Sequence, residues 1–161
     1  MDYRQFECDF ILRTLKIIEQ YETFVEKKVP DAEKYEVTLL INCFVGLLIL
    51  PHELHFKRNP SLSLIKLEEW GLPKDFVKSW GEKKDNERDI REIIRHMRNS
   101  IAHLKIKPIG NGSDIISIRL WDTNTSGEKI TFEGEISVDC LKKFIKKFAQ
   151  TILLEYCKSK K

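Results

Sequence analysis

The segment from Arg95 to His103 carries the side chains of this sequence that are best suited to chemistry. It reads Arg95-His96-Met97-Arg98-Asn99-Ser100-Ile101-Ala102-His103. The guanidinium of arginine is a permanently charged fork that fits a phosphate, and a histidine can take up and return a proton at neutral pH. RNA supplies its own nucleophile, the 2′-hydroxyl. The segment therefore predicts acid–base chemistry at a phosphate, without a metal or cofactor.

Helix geometry limits which of these side chains can converge. A stripe of residues spaced by four runs along one side of the expected helix and comprises Arg91, Arg95, Asn99 and His103. Arg98 lies about 140° round a regular helix from His103. One helix can direct both side chains at one phosphate only if its last turn loosens. A second copy of the helix, related by two-fold symmetry, would also remove the difficulty.

A structural interpretation of the same residues needs no function. The arginines could pair with the neighbouring acids Glu87, Asp89 and Glu92, and His103 could cap the end of the helix. Composition alone favours this alternative, because runs of charge are usually solvated helix faces.

The hexapeptide Arg98-Asn99-Ser100-Ile101-Ala102-His103 resembles the R-x4-H motif of HEPN domains, including the polar residue after the arginine. The apolar helix with Asn42 and Pro51-His52-Glu53 is similar to a segment of one bacterial HEPN group. The resemblance implies a metal-independent endoribonuclease in which Arg98 holds the scissile phosphate and His103 acts as general base or acid. Asn99 would orient the phosphate or His103.

The resemblance also implies partners. HEPN nucleases usually form their site where two R-x4-H helices face each other, so a homodimer with the site at the dimer interface is expected, with RNA as substrate. A role as toxin or antiviral defence effector follows, with a possible cognate antitoxin. HEPN toxins paired with nucleotidyltransferase antitoxins carry a tyrosine two residues after the histidine, but this chain has Lys105 there. The alternatives are a non-catalytic helical module that binds RNA, a nucleotide or a protein, and a purely structural dimer.

Further RNA contacts are expected from a wider basic set, namely Arg91, Arg95, His96, Lys142 and Lys146. Alternatively, His96 could be a core histidine, and the two lysines could lie on a solvated helix face. Three tryptophans, Trp70, Trp80 and Trp121, could stack nucleobases, although packing is their usual role.

Metal binding is not expected from the remaining motifs. His52-Glu53-Leu54-His55 is one residue short of the zinc-protease motif H-E-x-x-H. The four cysteines are far apart, so neither a zinc site nor a disulfide framework is expected.

Composition and periodicity predict one mainly α-helical domain over residues 1–161. The chain has 161 residues and a net charge of +3, and residues 82–161 are more basic than residues 1–81. Three- and four-residue spacing predicts helices over 4–28, 36–55, 62–69, 73–80 and from Asp85 or Asn86 to His103. An alternating pattern predicts a β-hairpin inserted at about 113–136, before a last helix capped by Ser137 or Asp139. The fold class is an antiparallel helical bundle of HEPN type. No signal peptide or membrane span is recognised, so a cytoplasmic protein is expected.

Overall fold

The computed structural model describes residues 6–28, 30, 35–55, 64–81, 89–110 and 114–154. Contacts divide the chain into two compact units. The first comprises residues 1–54 and 145–161, and the second comprises residues 55–144. The single domain expected over residues 1–161 stays a prediction.

The first unit is helical. It contains α1 (Phe6–Gln20), a π-helical turn (Tyr21–Val25), α2 (Glu26–Lys28) and all but the last residue of α3 (Glu36–His55). These bounds confirm the helices predicted over 4–28 and 36–55 within the described residues. Its buried apolar side chains include Ile11, Ile18, Leu40, Phe44, Leu47, Leu48 and Phe148. None of the described helices is long and apolar enough to cross a membrane.

The last helix, α5 (Val138–Ile152), begins in the second unit and ends in the first. Ser137 Oγ accepts a hydrogen bond from the N–H of Cys140 at 3.3 Å, so the predicted Ser137 cap is confirmed. In the first unit, Lys146 Nζ contacts both carboxylate oxygens of Glu22 at 2.7 and 2.8 Å.

The second unit combines helices with a four-stranded antiparallel sheet. Its elements are a 3-10 helix (Leu64–Trp70), β1 (Val77–Trp80), α4 (Ile90–Ala102), β2 (Ile106–Gly110), β3 (Ile115–Thr123) and β4 (Ile130–Ser137). The strand order is β1-β4-β3-β2. Strand β3 pairs with both neighbours, placing Arg119 opposite Lys107 on β2 and Trp121 opposite Glu133 on β4.

The predicted mainly α-helical bundle is wrong, because the expected hairpin is the centre of this sheet and the fold is a mixture of helices and strands. Residues 77–80, predicted as helix, form β1, which pairs with the free side of β4 through Val77 and Gly134. A four-residue segment has too little periodicity to reveal a strand, so this pairing decides its structure. Strand β2 lies at the other edge of the sheet, and Pro108 is tolerated in it because an edge strand has one side without partners.

Helix α4 packs one face against β3 and thereby positions the charged segment. Asp89 is its N-cap and accepts a hydrogen bond from the N–H of Glu92 at 2.9 Å. The helix therefore begins later than the cap predicted at Asp85 or Asn86, which lie outside the described residues. Its isoleucine face is buried with apolar residues of the sheet, including Ile90, Ile93, Met97, Ile118, Leu120 and Phe132.

Cys8 is disulfide-bonded. Cys43 and Cys140 are free thiols.

Candidate functional site

The end of α4 determines where the motif can reach. The N–H of Leu104 donates to the carbonyl of Ile101 at 3.1 Å, and the N–H of Lys105 donates to the carbonyl of Ser100 at 2.7 Å. This pair of bonds is a Schellman motif, which needs a left-handed residue at the first position after the cap. Leu104, with φ of 54°, fills that position. The chain therefore leaves the helix sharply after the R-x4-H segment.

His103 is the C-cap residue of α4. Its N–H donates to the carbonyl of Asn99 at 3.0 Å, which confirms that His103 caps a helix end. The side chain is exposed and makes no hydrogen bond with any described residue. Its φ of −102° and ψ of 14° lie outside regular helical values. The imidazole is thus available for chemistry at the surface.

A cleft of about 960 Å³ opens beside this helix end, wholly within the second unit. Its lining comes from α4 and the turn after it, from β3, β4 and the loop between them, and from the residue that follows β1. The lining residues are Gly81, Arg95, His96, Asn99, His103, Lys105, Asp122, Thr123, Asn124, Thr125, Ser126, Gly127, Lys129 and Thr131. The cleft combines an imidazole at its edge with a polar loop rich in hydroxyl and amide groups.

Four of the eight residues singled out in the sequence line this cleft, namely Arg95, His96, Asn99 and His103. The other four do not line its described part. Arg91 pairs with Asp89 (Nε to Oδ2, 3.3 Å), as the structural alternative predicts. Lys142 and Lys146 lie on α5. Arg98 is half-buried and faces its neighbour Asn99, consistent with the angle that separates it from His103.

Asn99 links the motif arginine to the sheet. Its Oδ1 accepts hydrogen bonds from Arg98 Nε at 3.2 Å and from Arg98 NH2 at 2.8 Å. Its Nδ2 donates to Asp122 Oδ2 at 2.9 Å. Because both ends of the amide are held, Asn99 has one defined orientation.

His96 shares the same carboxylate. Its Nδ1 lies 2.8 Å from Asp122 Oδ2, and its Nε2 lies 3.1 Å from Arg95 NH2. An ionised carboxylate only accepts and a guanidinium only donates, so this network assigns the proton to Nδ1. The ring also stacks on Phe132, with ring centroids 4.9 Å apart, and meets the edge of Trp80. His96 is both a core histidine and a lining residue of the cleft.

The pKa values of the pair follow from burial and hydrogen bonding. Burial lowers the pKa of His96, and this effect outweighs the hydrogen bond to Asp122, which raises it. Burial raises the pKa of the Asp122 carboxyl, but hydrogen bonds from His96, Asn99 and the N–H of Thr123 together lower it below its ordinary value. The pair is therefore a neutral imidazole hydrogen-bonded to a carboxylate at neutral pH.

The electrostatics of the cleft favour an anion. Arg95, Lys105 and Lys129 contribute positive side chains, whereas the one carboxylate in the described lining is Asp122, which is 4% exposed. Arg95 is held by Glu92 at 2.8 Å, and Lys105 Nζ donates to Thr123 Oγ1. Positive groups held at the rim of a cleft concentrate anionic ligands there.

The comparisons with known proteins give one positive result. The family model described as HEPN pEK499 p136 matches residues 1–159. The chain belongs to this HEPN family. Comparison with curated proteins and with solved structures finds no match.

Some residues that lie next to the R-x4-H motif in this HEPN fold could not be predicted from the motif itself. Asp122 and the polar residues 123–129 approach it from the sheet. A signal for Asp122 was present, because it continues the inward alternation of Ile118 and Leu120 along β3. A carboxylate in a buried strand position needs partners. Lys105 occupies the position where HEPN toxins with nucleotidyltransferase antitoxins have a tyrosine, and its side chain lines the cleft.

The described residues contain no group of three or more His, Cys, Asp or Glu side chains that could hold a metal ion. His52 and His55 lie in the last turn of α3, among residues whose side chains the structure does not describe.

Proposed function

We propose that this HEPN protein is a metal-independent endoribonuclease that serves as a toxin or as an antiviral defence effector. The observation that carries the proposal is the position of His103. Its exposed imidazole lines a cleft of about 960 Å³ whose charged rim is positive, together with Asn99 of the same motif. An imidazole at the edge of an anion-binding cleft is the arrangement that acid–base cleavage of RNA requires.

The reaction needs no nucleophile from the protein. The 2′-hydroxyl attacks the adjacent phosphorus and transfers its proton to a base, forming a new bond between the 2′ oxygen and phosphorus. The bond from phosphorus to the 5′ oxygen breaks, and an acid returns a proton to that oxygen. The products are a 2′,3′-cyclic phosphate and a 5′-hydroxyl end. His103 serves as base or acid, and Arg98 stabilises charge on the phosphate oxygens.

A homodimer completes the proposed site. Arg98 hydrogen-bonds to Asn99 and is not itself among the described residues that line the cleft of its own chain. A second R-x4-H helix, related by two-fold symmetry, would bring its Arg98 to the phosphate held beside His103. RNA is the proposed substrate, and a cognate antitoxin would act by covering this cleft, since Lys105 stands where a modifiable tyrosine is typical.

The test compares wild type with His103→Ala and Arg98→Ala on single-stranded RNA in the presence of a chelator. His103→Ala is expected to slow cleavage on the order of 10²–10⁴-fold, the usual contribution of a positioned acid or base. Arg98→Ala is expected to slow it about 10²–10³-fold, the usual effect of removing one group that stabilises charge in the transition state. Lys74→Ala is the matched control, because Lys74 is an exposed lysine of the second unit that pairs only loosely with Glu68 at 3.8 Å. The cleaved ends should be a cyclic phosphate and a hydroxyl.

The non-catalytic alternative gives a different result in the same experiment. A binding module would retain RNA on wild type without turnover, and its affinity would survive the loss of the His103 imidazole. Equal cleavage rates for wild type, His103→Ala and Arg98→Ala would also remove the proposed mechanism.

A further inference from the structure

The outward face of the sheet carries a second cluster that the proposed catalytic cleft does not use. Alternate residues of β3 point to opposite faces. Ile118, Leu120 and Asp122 are buried on the inner face, whereas Arg119 is exposed and Trp121 is half-buried on the outer face. A pocket of about 240 Å³ on the outer face is lined by Lys107, Arg119, Trp121, Ile130 and Glu133.

Two of the charged side chains that line this pocket do not stabilise the sheet. Lys107 and Arg119 lie directly opposite each other on paired strands, and like charges in that position destabilise a sheet. Arg119 is compensated by Glu133, at 2.6 Å. Lys107 forms no ion pair with any described residue. No described carboxylate compensates Lys107, so its ammonium group is available to an anionic ligand.

The indole of Trp121 adds a flat apolar surface to the same pocket. The other two tryptophans are used in packing, since Trp70 is buried near Phe144 and Trp80 contacts His96 and Phe132. Trp121 has no aromatic partner among the described residues. A lysine next to an available indole is the combination that binds one nucleotide, through its phosphate and its base.

The pocket and the cleft lie on opposite faces of the sheet but are close together along the chain. Lys105 lines the cleft, and its carbonyl accepts the N–H of Trp121 at 3.1 Å. Lys107 follows two residues later, about 7 Å along an extended strand. Asp122, the residue after Trp121, lies on the cleft side. A strand of RNA bound in both places would pass over the edge of the sheet that β2 forms.

We propose that this outer pocket, formed by Lys107, Arg119 and Trp121, binds an unpaired nucleotide that flanks the cleaved linkage. The inference rests on the proposed function for the identity of the ligand, single-stranded RNA. A base within a duplex is stacked and its face is not accessible to an indole, so the pocket selects unpaired RNA.

The experiment measures binding of a labelled eight-nucleotide RNA by anisotropy in the His103→Ala background, where cleavage is suppressed. Trp121→Ala is expected to weaken binding by roughly 5- to 150-fold in Kd, the range for one base stacked on an aromatic side chain. Trp121→Phe should restore most of the affinity, and Lys107→Ala should weaken binding more at low salt than at high salt. Lys74→Ala should bind as the background does.

Cleavage assays in an otherwise wild-type background separate this proposal from the proposed nuclease function. Trp121→Ala and Lys107→Ala should each lower kcat/KM for the eight-nucleotide RNA, whereas Lys74→Ala should leave it unchanged. If the protein cleaves RNA and neither the Trp121 nor the Lys107 substitution changes cleavage of the eight-nucleotide RNA, the proposal for the outer pocket is wrong and the proposed nuclease function stands. The proposal for the outer pocket is also wrong if Trp121→Ala weakens the binding of duplex RNA as much as the binding of single-stranded RNA. Binding that depends on Trp121 without any cleavage overturns the nuclease and leaves the pocket.

Discussion

At the residue scale, one carboxylate oxygen holds the candidate site together. Asp122 Oδ2 accepts from both His96 and Asn99, and Oδ1 accepts from the N–H of Thr123. Replacing Asp122 with asparagine leaves one acceptor oxygen and introduces an amide N–H₂ next to two donors. We expect Asp122→Asn to lower the free energy of unfolding by about 1–3 kcal/mol, the usual effect of leaving a buried donor unpaired.

Urea unfolding followed by circular dichroism measures this loss. Lys129→Gln is a suitable control, because Lys129 lines the same cleft on the exposed loop. If Asp122→Asn unfolds at the same urea concentration as wild type, Asp122 does not organise the site.

The lowered pKa of His96 predicts how stability depends on pH. Below the ordinary histidine pKa of about 6.5, the unfolded chain binds a proton that folded His96 does not bind. The free energy of unfolding should therefore fall as pH falls from 6.5 towards the lower pKa of folded His96. Protonation of His96 would also repel Arg95 from Nε2. Urea unfolding between pH 7.5 and 5 measures the slope.

One histidine variant assigns that slope. His96→Gln should flatten the pH dependence, since it removes the buried imidazole, although it lowers stability at every pH. A slope that persists in His96→Gln would contradict the assignment.

At this scale, four of the fourteen residues that line the cleft had been singled out in the sequence. Asn99, His103, Arg95 and His96 were found because they lie on one helix, where spacing alone determines which residues share a side. Asp122 was missed because it lies 26 residues from its partner His96. Only the packing of β3 on α4 brings the two together, and helical spacing carries no information about that contact.

At the element scale, the end of α4 holds a residue in a conformation that its side chain disfavours. Leu104 has φ of 54° and is 81% exposed, so its side chain gains little from burial. A left-handed conformation is unfavourable for residues with a Cβ and free of penalty for glycine. We expect Leu104→Gly to raise the free energy of unfolding by roughly 0.5–1 kcal/mol. Thermal and urea unfolding measure the gain.

Leu104→Ala is the matched control for this substitution. Alanine removes the same exposed leucine side chain but retains the Cβ that makes the left-handed conformation unfavourable. Stabilisation by alanine equal to that by glycine would show that the backbone conformation is not the cause.

Long helices could be predicted from the sequence better than short strands could. The helices of the first unit and α5 have long apolar stripes and recognisable caps, so their existence followed from local pattern. Strand β1 has four residues and forms by pairing with β4. The error in fold class came from such short elements, since two edge strands turned an expected hairpin into a four-stranded sheet.

At the scale of the whole molecule, positive charge is concentrated where the proposed RNA sites lie. Residues 82–161 are the more basic half of the chain, and the cleft and the outer pocket both draw their cations from it. Lys142 and Lys146 belong to the same half but lie on α5, where Lys146 pairs with Glu22. Which of these cations lie close together depends on the sheet, and the distribution of charge along the chain does not reveal it.

The proposed homodimer makes a prediction that no single chain can satisfy. If each site takes Arg98 from one copy and His103 from the other, a mixed dimer of Arg98→Ala and His103→Ala contains one intact site and one doubly substituted site. Equal mixing of two exchanging inactive variants should then recover about a quarter of wild-type cleavage activity, since half of the dimers are mixed and each has one of two sites. Cleavage assays after co-refolding measure the recovery, with each variant alone as baseline. A site built within one chain would recover nothing, because every chain in the mixture then lacks either the guanidinium or the imidazole.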